Sequence, residues 1–366
     1  MKVLVTGGGT GGHIYPALAI IEEIKSRHPD AEFLYVGTKK GLENEVIHKT
    51  GIPFQTIDVK GFNSKNTINK MNTVKKATWA LKDSFGIVRR FKPDLVIGTG
   101  GYVAGPVVLA AALLGVKTAI HEQNVYPGKT NKILSKFVNR IYLSYAESAQ
   151  YFKNKSKVVI TGNPVRNAFE SLDKKACRSE LGINPEMFFV VSFGGSGGAK
   201  KINDTMLLVL NFFKNEKKVK LIHVTGKSYY EKFVKSIDQA GFQLGSNASV
   251  KDYIFDIPKY ICAADLVIGR AGATSLAELL AVRTPSILIP SPNVADDHQT
   301  YNALEMKRMG VSMMIKESEL IDTKISQFIV ECLENSNRLK EMEKAFESLP
   351  NAKAADEIVK DFLLLL

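Results

Sequence analysis

The sequence predicts an α/β protein of two Rossmann-like domains whose parallel sheets face each other across a cleft. Three observations predict it. Short apolar runs alternate with helix-patterned stretches almost throughout, as parallel sheets covered by helices require. The alternation halts at Gly162-Asn163-Pro164 and then restarts, which divides the chain into domains 1–163 and 164–349. In both halves the first and fourth strands end in glycine-rich turns, and ligands of such sheets bind outside the carboxyl ends of the strands.

In the first half the strands are expected near 2–6, 32–36, 54–57, 94–98, 117–121, 139–143 and 157–161. The first runs into Gly7-Gly8-Gly9-Thr10-Gly11-Gly12-His13, and a helical pattern follows from Ile14, with Pro16 early enough that its missing N–H costs nothing. A strand-to-helix turn of this kind lets backbone N–H groups approach an anion at the positive end of a helix. Five glycines in six positions exceed what a tight turn needs, so the turn points to phosphate or sugar chemistry, with His13 at its mouth. Gly7, Gly9 and Gly12 also fit the dinucleotide fingerprint, but that motif expects an acid at the end of the second strand. Gly37-Thr38-Lys39-Lys40 stands there instead, which weighs against the alternative of an NAD-binding oxidoreductase.

The second half has strands near 187–193, 219–224, 248–250, 265–269, 285–290 and 311–315. Its first ends in Gly194-Gly195-Ser196-Gly197-Gly198 and its fourth in Arg270-Ala271-Gly272-Ala273; the matching turn in the first half is Thr99-Gly100-Gly101.

The totals bound the partners. With 366 residues, 45% hydrophobic and 23% charged, the chain can bury two substantial cores. Three cysteines without a C-x-x-C pair exclude a zinc knuckle or disulfide framework and fit a reducing cytosol. No signal peptide is expected, and the longest apolar run, 103–116, is too short to span a membrane. The net charge of +12 favours an anionic partner, and Lys60–Lys92 alone holds nine cations against Asp83. The aromatic-and-basic pattern of RNA modules is absent, so nucleic acid is not expected. Near-matches to a P-loop at Gly128 and Gly226, and to a zinc H-E-x-x-H at His121, fail at their defining positions, and there is no D-x-D pair to clamp a metal. A metal-free site is expected.

Six motifs then stand in a telling order: GGTGGH (Gly8–His13), HEQN (His121–Asn124), GNPVR (Gly162–Arg166), GGSGGA (Gly194–Ala199), GRAGATSLAE (Gly269–Glu278) and DHQTYNA (Asp297–Ala303). In these the chain resembles, over nearly its whole length, the MurG family of bacterial N-acetylglucosaminyltransferases. The resemblance implies a GT-B fold, with a C-terminal helix at about 350–366 packing back on the N-terminal domain. It implies inverting transfer from UDP-GlcNAc to undecaprenyl-linked lipid I, giving lipid II for peptidoglycan and so for cell shape and division. No cofactor is implied, and the place of work is the cytoplasmic face of the membrane. Another GT-B transferase with a different lipid acceptor is the alternative.

By the same resemblance Thr10, Gly11 and Gly12 line the cleft near the sugar, and Asn124 and Arg166 belong to the donor pocket. Ser196 binds the diphosphate and Ile254 meets the uracil. Ala273, Thr274 and the residues to Glu278 cover the nucleotide, with Glu278 on the ribose hydroxyls. Gln299 contacts the GlcNAc hydroxyls, with Asn302 close by and His298 as an alternative partner. Gly197 departs from the glutamine of well-known relatives. His13 is the candidate base and Glu122 the alternative. Read without the resemblance, Ser275-x-x-Glu278 is equally a capping box, Arg166 a surface cation, Asn124 a turn residue and Gln299 a solvated helix position. The apolar steps 68, 71, 74 and 81, 85, 88 predict an amphipathic helix within 60–92. Its face serves either an anionic membrane surface or the protein's own core.

Overall fold

The computed structural model describes residues 1–59, 67–169, 171–195, 197–320, 324–349 and 353–366. The chain forms two compact units, Met1–Arg166 with Ala352–Leu366, and Asn167–Asn351.

The first unit is built on seven parallel strands: β1 (Lys2–Thr6), β2 (Glu32–Gly37), β3 (Phe54–Thr56), β4 (Leu95–Gly98), β5 (Lys117–Glu122), β6 (Arg140–Leu143) and β7 (Val158–Ile160). Their order in space is β3-β2-β1-β4-β5-β6-β7. Helices cover both faces, so the central strands read as unbroken apolar runs rather than alternating ones. Val3, Leu4 and Val5 are all fully buried. The helices are α1 (Gly11–Arg27), α2 (Leu42–His48), α3 (Thr67–Phe91), α4 (Ala104–Leu113) and α5 (Lys129–Leu134). α1 begins at Gly11, three residues before the helical pattern sets in, so Pro16 lies in the second turn. There its missing N–H removes a hydrogen bond that an N-terminal proline would not.

The second unit repeats the plan with β8 (Phe188–Phe193), β9 (Val219–Val224), β10 (Ala248–Lys251), β11 (Leu266–Gly269), β12 (Ser286–Leu288) and β13 (Ser312–Met314), ordered β10-β9-β8-β11-β12-β13. Its helices are α6 (Lys174–Glu180), α7 (Lys200–Phe212), α8 (Tyr230–Gln239), α9 (Ile257–Ala263), α10 (Ala273–Val282), α11 (His298–Arg308), α12 (Lys324–Glu334) and α13 (Asn337–Glu347).

In each sheet the winding reverses between the first and fourth strands, and this switch point is where the two helix layers diverge and leave room for a ligand. Thr6 pairs with Gly98 and Phe193 with Gly269, so both turns of each unit leave the sheet at the same height.

The last helix, α14 (Ala354–Leu363), packs on α1 and buries Ile358, Val359 and Phe362 in the first unit's core. Asp361 there accepts hydrogen bonds from Arg140 Nε and Tyr142 Oη, both at 2.9 Å, and Asp356 pairs with Arg27.

From Ala80 onward α3 is an ordinary core helix: Ala80, Ser84, Ile87 and Val88 are buried, while Trp79 is 63% exposed. Of the basic segment 60–92, residues 60–66 lie outside the described ones. No helix among the described residues is long and apolar enough to cross a membrane.

Candidate functional site

In the first unit the turn after β1 is held from every side. Gly8 N–H donates to the Gly100 carbonyl at 3.3 Å, and a Cβ on Gly101 would come within 2.3 Å of the Gly8 oxygen, so that position, with φ +81°, admits only glycine. Tyr35 Oη donates to the Gly7 carbonyl at 2.7 Å from the neighbouring strand. Thr10, the N-cap of α1, makes no side-chain cap, so the amides of Gly11 and Gly12 begin the helix without one.

His13 stands in this first helical turn. Its Nδ1 lies 2.8 Å from the Gly8 carbonyl and 3.3 Å from Thr10 Oγ1, and its own carbonyl accepts from Thr99 Oγ1 at 2.6 Å. A carbonyl can only accept, so Nδ1 is the donor in this contact, and in the neutral form of the ring the lone pair is on Nε2. That is the tautomer a general base needs.

Glu122 is buried, and both its oxygens are engaged. Oε1 accepts from Asn124 N at 3.0 Å and Asn124 Nδ2 at 3.2 Å; Oε2 accepts from Gly128 N at 3.0 Å and Asn131 Nδ2 at 2.8 Å. Its four donors come from Asn124, Gly128 and Asn131, so it shapes the loop that carries Asn124. Arg166 sets its guanidinium 5.2 Å over the ring of Tyr15 on α1, which brings it to the helix that starts at the glycine turn.

The strand ends are cross-linked by His121, which is fully buried. Its Nε2 donates to the Gly162 carbonyl at 3.1 Å, and its Nδ1 accepts from Gln123 Nε2 at 2.9 Å; Gln123 also donates to the Thr99 carbonyl at 2.7 Å. Burial, against the hydrogen bond to Gly162, brings the His121 imidazole down to about 4. In the second unit burial brings His223, at 2.6 Å from Ser192 Oγ, down to about 3. The unfolded chain binds these protons near pH 6.5, so stability is full above that value and falls as pH drops toward the folded values. Each histidine should cost roughly 2 kcal/mol at pH 5 relative to pH 7.5. Melting curves across that range are expected to shift down, and a flat melting temperature would show that neither ring stays neutral.

In the second unit the turns after β8 and β9 touch. A Cβ on Gly198, at φ +74°, would lie 2.2 Å from the Thr225 carbonyl. Ser196 lies outside the described residues. Ile254 sits in the loop after β10, half-buried between the exposed rings of Tyr253 and Phe255. After β11, α10 starts at Ala273 with Gly272 as its N-cap and no side-chain cap. Ser275 is thus inside the first turn, and the capping-box reading of Ser275 and Glu278 does not hold. Glu278 is 9% exposed, and the Thr274 hydroxyl is buried without a partner among the described residues, as a group reserved for a ligand would be.

At the start of α11, Gln299 Oε1 accepts from Ser291 N at 2.9 Å, leaving its amide NH₂ as donor, and His298 Nδ1 donates to the Ala295 carbonyl at 2.8 Å. Asn302 is fully buried and donates to the Ala271 carbonyl at 3.2 Å, so it positions the turn before α10. Asp296 and Asp297, just before, both hold left-handed backbone (φ 53° and 51°), strain of the kind stored beside binding sites. Among the described residues no three His, Cys, Asp or Glu side chains converge as a metal site would require.

Two family models match the chain, the glycosyltransferase family 28 N-terminal domain over residues 3–143 and its C-terminal domain over residues 189–359. The crystal structure of Acinetobacter baumannii MurG superposes with a TM-score of 0.78 at 27% identity, covering 99% of each chain. A relative from Thermoanaerobacter sp. strain X514 is 44% identical, covering 98% of each chain, and is named UDP-N-acetylglucosamine--N-acetylmuramyl-(pentapeptide) pyrophosphoryl-undecaprenol N-acetylglucosamine transferase. The chain belongs to the MurG family. A relative of the same name from Desulforamulus reducens is 40% identical over 98% of this chain and 97% of its own. The α/β architecture with two parallel sheets is that of the family's GT-B fold.

One residue at this candidate site escapes sequence reasoning. Glu43, on α2 and fully buried, accepts from Gly9 N at 2.9 Å, Thr38 N at 2.9 Å and Thr38 Oγ1 at 2.6 Å. Burial opposes its ionisation, but the hydrogen bonds from Thr38 and Gly9 outweigh it and hold the carboxyl below its ordinary range. The acid missing from the tip of β2 thus arrives from the next helix and braces the glycine turn.

Proposed function

We propose that the chain transfers N-acetylglucosamine from UDP-GlcNAc to lipid I with inversion, forming lipid II for peptidoglycan. The observation that carries this is full-length identity of 40–44% with relatives named for that transfer. In the proposed step His13 Nε2 takes the proton of the acceptor hydroxyl, whose oxygen forms the new bond to the sugar's anomeric carbon. The bond from that carbon to UDP breaks, and its electron pair leaves on the diphosphate. Thr10, Gly11 and Gly12 serve the sugar; Asn124, Arg166 and Gln299 the donor's polar groups. The amides of Gly194–Ala199 and Ser196 take the developing negative charge, favoured by the start of α7. Ile254 reads the uracil through its backbone, and Glu278 holds the ribose beneath Ala273 and Thr274. The test is purified protein with UDP-GlcNAc and a short-chain lipid I analogue, with and without EDTA. Release of UDP matched by a β-linked disaccharide is expected. Turnover only with another prenyl acceptor would point to a different GT-B transferase.

The acceptor's polyprenyl tail stays in the bilayer, so the enzyme works at the membrane surface, and we assign 60–92 to an anionic leaflet. Supporting this, Trp79 on α3, Leu113 on α4 and Ile133 on α5 are exposed on three successively packed helices, with Lys82, Lys129 and Lys136 exposed beside them. Each cation near an anionic surface contributes ~1 kcal/mol. Changing Lys75, Lys76 and Lys82 to Glu should weaken sedimentation with anionic vesicles by at least tenfold (about 1.4 kcal/mol) while donor binding stays intact. Unchanged sedimentation would move the membrane face elsewhere.

A further inference from the structure

The first unit has a second concave surface, away from the glycine turns. Two adjoining cavities of about 620 and about 690 Å³ share Gln55, Ile87 and Arg90 and together make a groove between β3 and the second half of α3. β3 is the edge strand of its sheet, so among the described residues one side of its backbone has no strand beside it. Residues from within Pro53–Thr56 and from within Lys82–Phe91 line the two long sides. Four extended residues and nine helical steps each measure roughly 13 Å, so the groove suits an extended segment of about four or five residues.

Its charge selects the occupant. Lys25, Lys82, Arg89 and Arg90 line it against Glu32 and Asp83, and Glu32 is already paired with Lys2 at 3.3 Å. Among the described residues none of the four cations forms an ion pair; Lys25, Lys82 and Arg89 lie instead over the rings of Phe33, Trp79 and Phe85, at 5.5, 5.1 and 5.7 Å. The floor is apolar, with Phe33 and Ile87.

Gly86 is the second observation. It sits inside α3, where glycine costs ~1 kcal/mol relative to alanine, yet a Cβ there would meet nothing within 4 Å. Packing does not require this glycine; its effect is to widen the groove between Lys82 and Arg90.

We propose that this groove receives an extended acidic segment of a partner protein, which adds to β3 as a strand. Main-chain hydrogen bonds to the edge hold it, alternate carboxylates meet the four cations, and the apolar side chains between them face Ile87 and Phe33.

The test is selection of displayed random eight-residue peptides on the full-length protein. Asp or Glu alternating with Val, Ile or Phe should be enriched at least tenfold. Gly86→Leu, which fills the groove from an exposed helical position, should abolish the enrichment, with melting temperature and UDP-GlcNAc affinity as checks of the fold. If Gly86→Leu melts early, the double variant Arg89→Glu, Arg90→Glu carries the test. No acidic enrichment, or enrichment that survives both variants, overturns the proposal. So does a loss of anionic-vesicle binding in Gly86→Leu without any peptide preference, which would make the groove a lipid-headgroup site.

Discussion

Replacing His13 by alanine is expected to lower turnover by ~10²–10⁴-fold, the range for loss of a general base, and to leave UDP-GlcNAc affinity nearly unchanged. The expectation rests on the hydrogen bond from Nδ1 to the Gly8 carbonyl, which makes Nε2 the nitrogen with the lone pair in the neutral form of the ring. The same bond also braces the turn, so alanine removes two things at once. His13→Asn separates them, because an amide can still donate to Gly8 but offers no basic nitrogen. If asparagine restores most of the rate, the ring's contribution is to hold the turn. If both variants are slow, the ring is the base. Near-wild-type turnover in both would pass the role to Glu122, both of whose oxygens already accept hydrogen bonds.

Glu278→Gln is expected to raise the KM for UDP-GlcNAc about 10–100-fold, the worth of a charged hydrogen bond of ~1.5–3 kcal/mol. The structure sharpens this expectation. Because α10 begins at Ala273 behind Gly272, the glutamate lies too far along the helix to cap it. The melting temperature should therefore hardly move. A lowered melting temperature with an unchanged KM would return Glu278 to a purely structural role.

The two predictions differ in how much the sequence by itself could say. The place of His13 in the first turn of α1 was legible because the glycine turn is local: strand, turn and helix are consecutive residues. The capping reading of Glu278 was also local, since Ser275-x-x-Glu278 satisfies a capping spacing, and only the actual helix start, a product of how β11 ends, rules it out. Pro16 shows the same limit, because a glycine pair has no apolar pattern to announce that the helix has already begun at Gly11.

The sequence by itself determined the thirteen strands of the described residues, their parallel class, the two-unit plan and the glycine turns, because each is carried by short-range hydrophobic runs and backbone conformations. Tertiary structure decided what those turns lie against. Strands one and four, more than eighty residues apart, become neighbours only when the sheet is wound, and that puts Gly8 beside Gly100. The brace from Glu43, the engagement of Glu122, the core-facing side of α3 and the groove along β3 are likewise contacts between segments distant in the chain. No spacing rule reports such contacts: side-chain reach and burial are set by the packed neighbours, and a carboxylate looks the same in the sequence whether it meets water or four N–H groups.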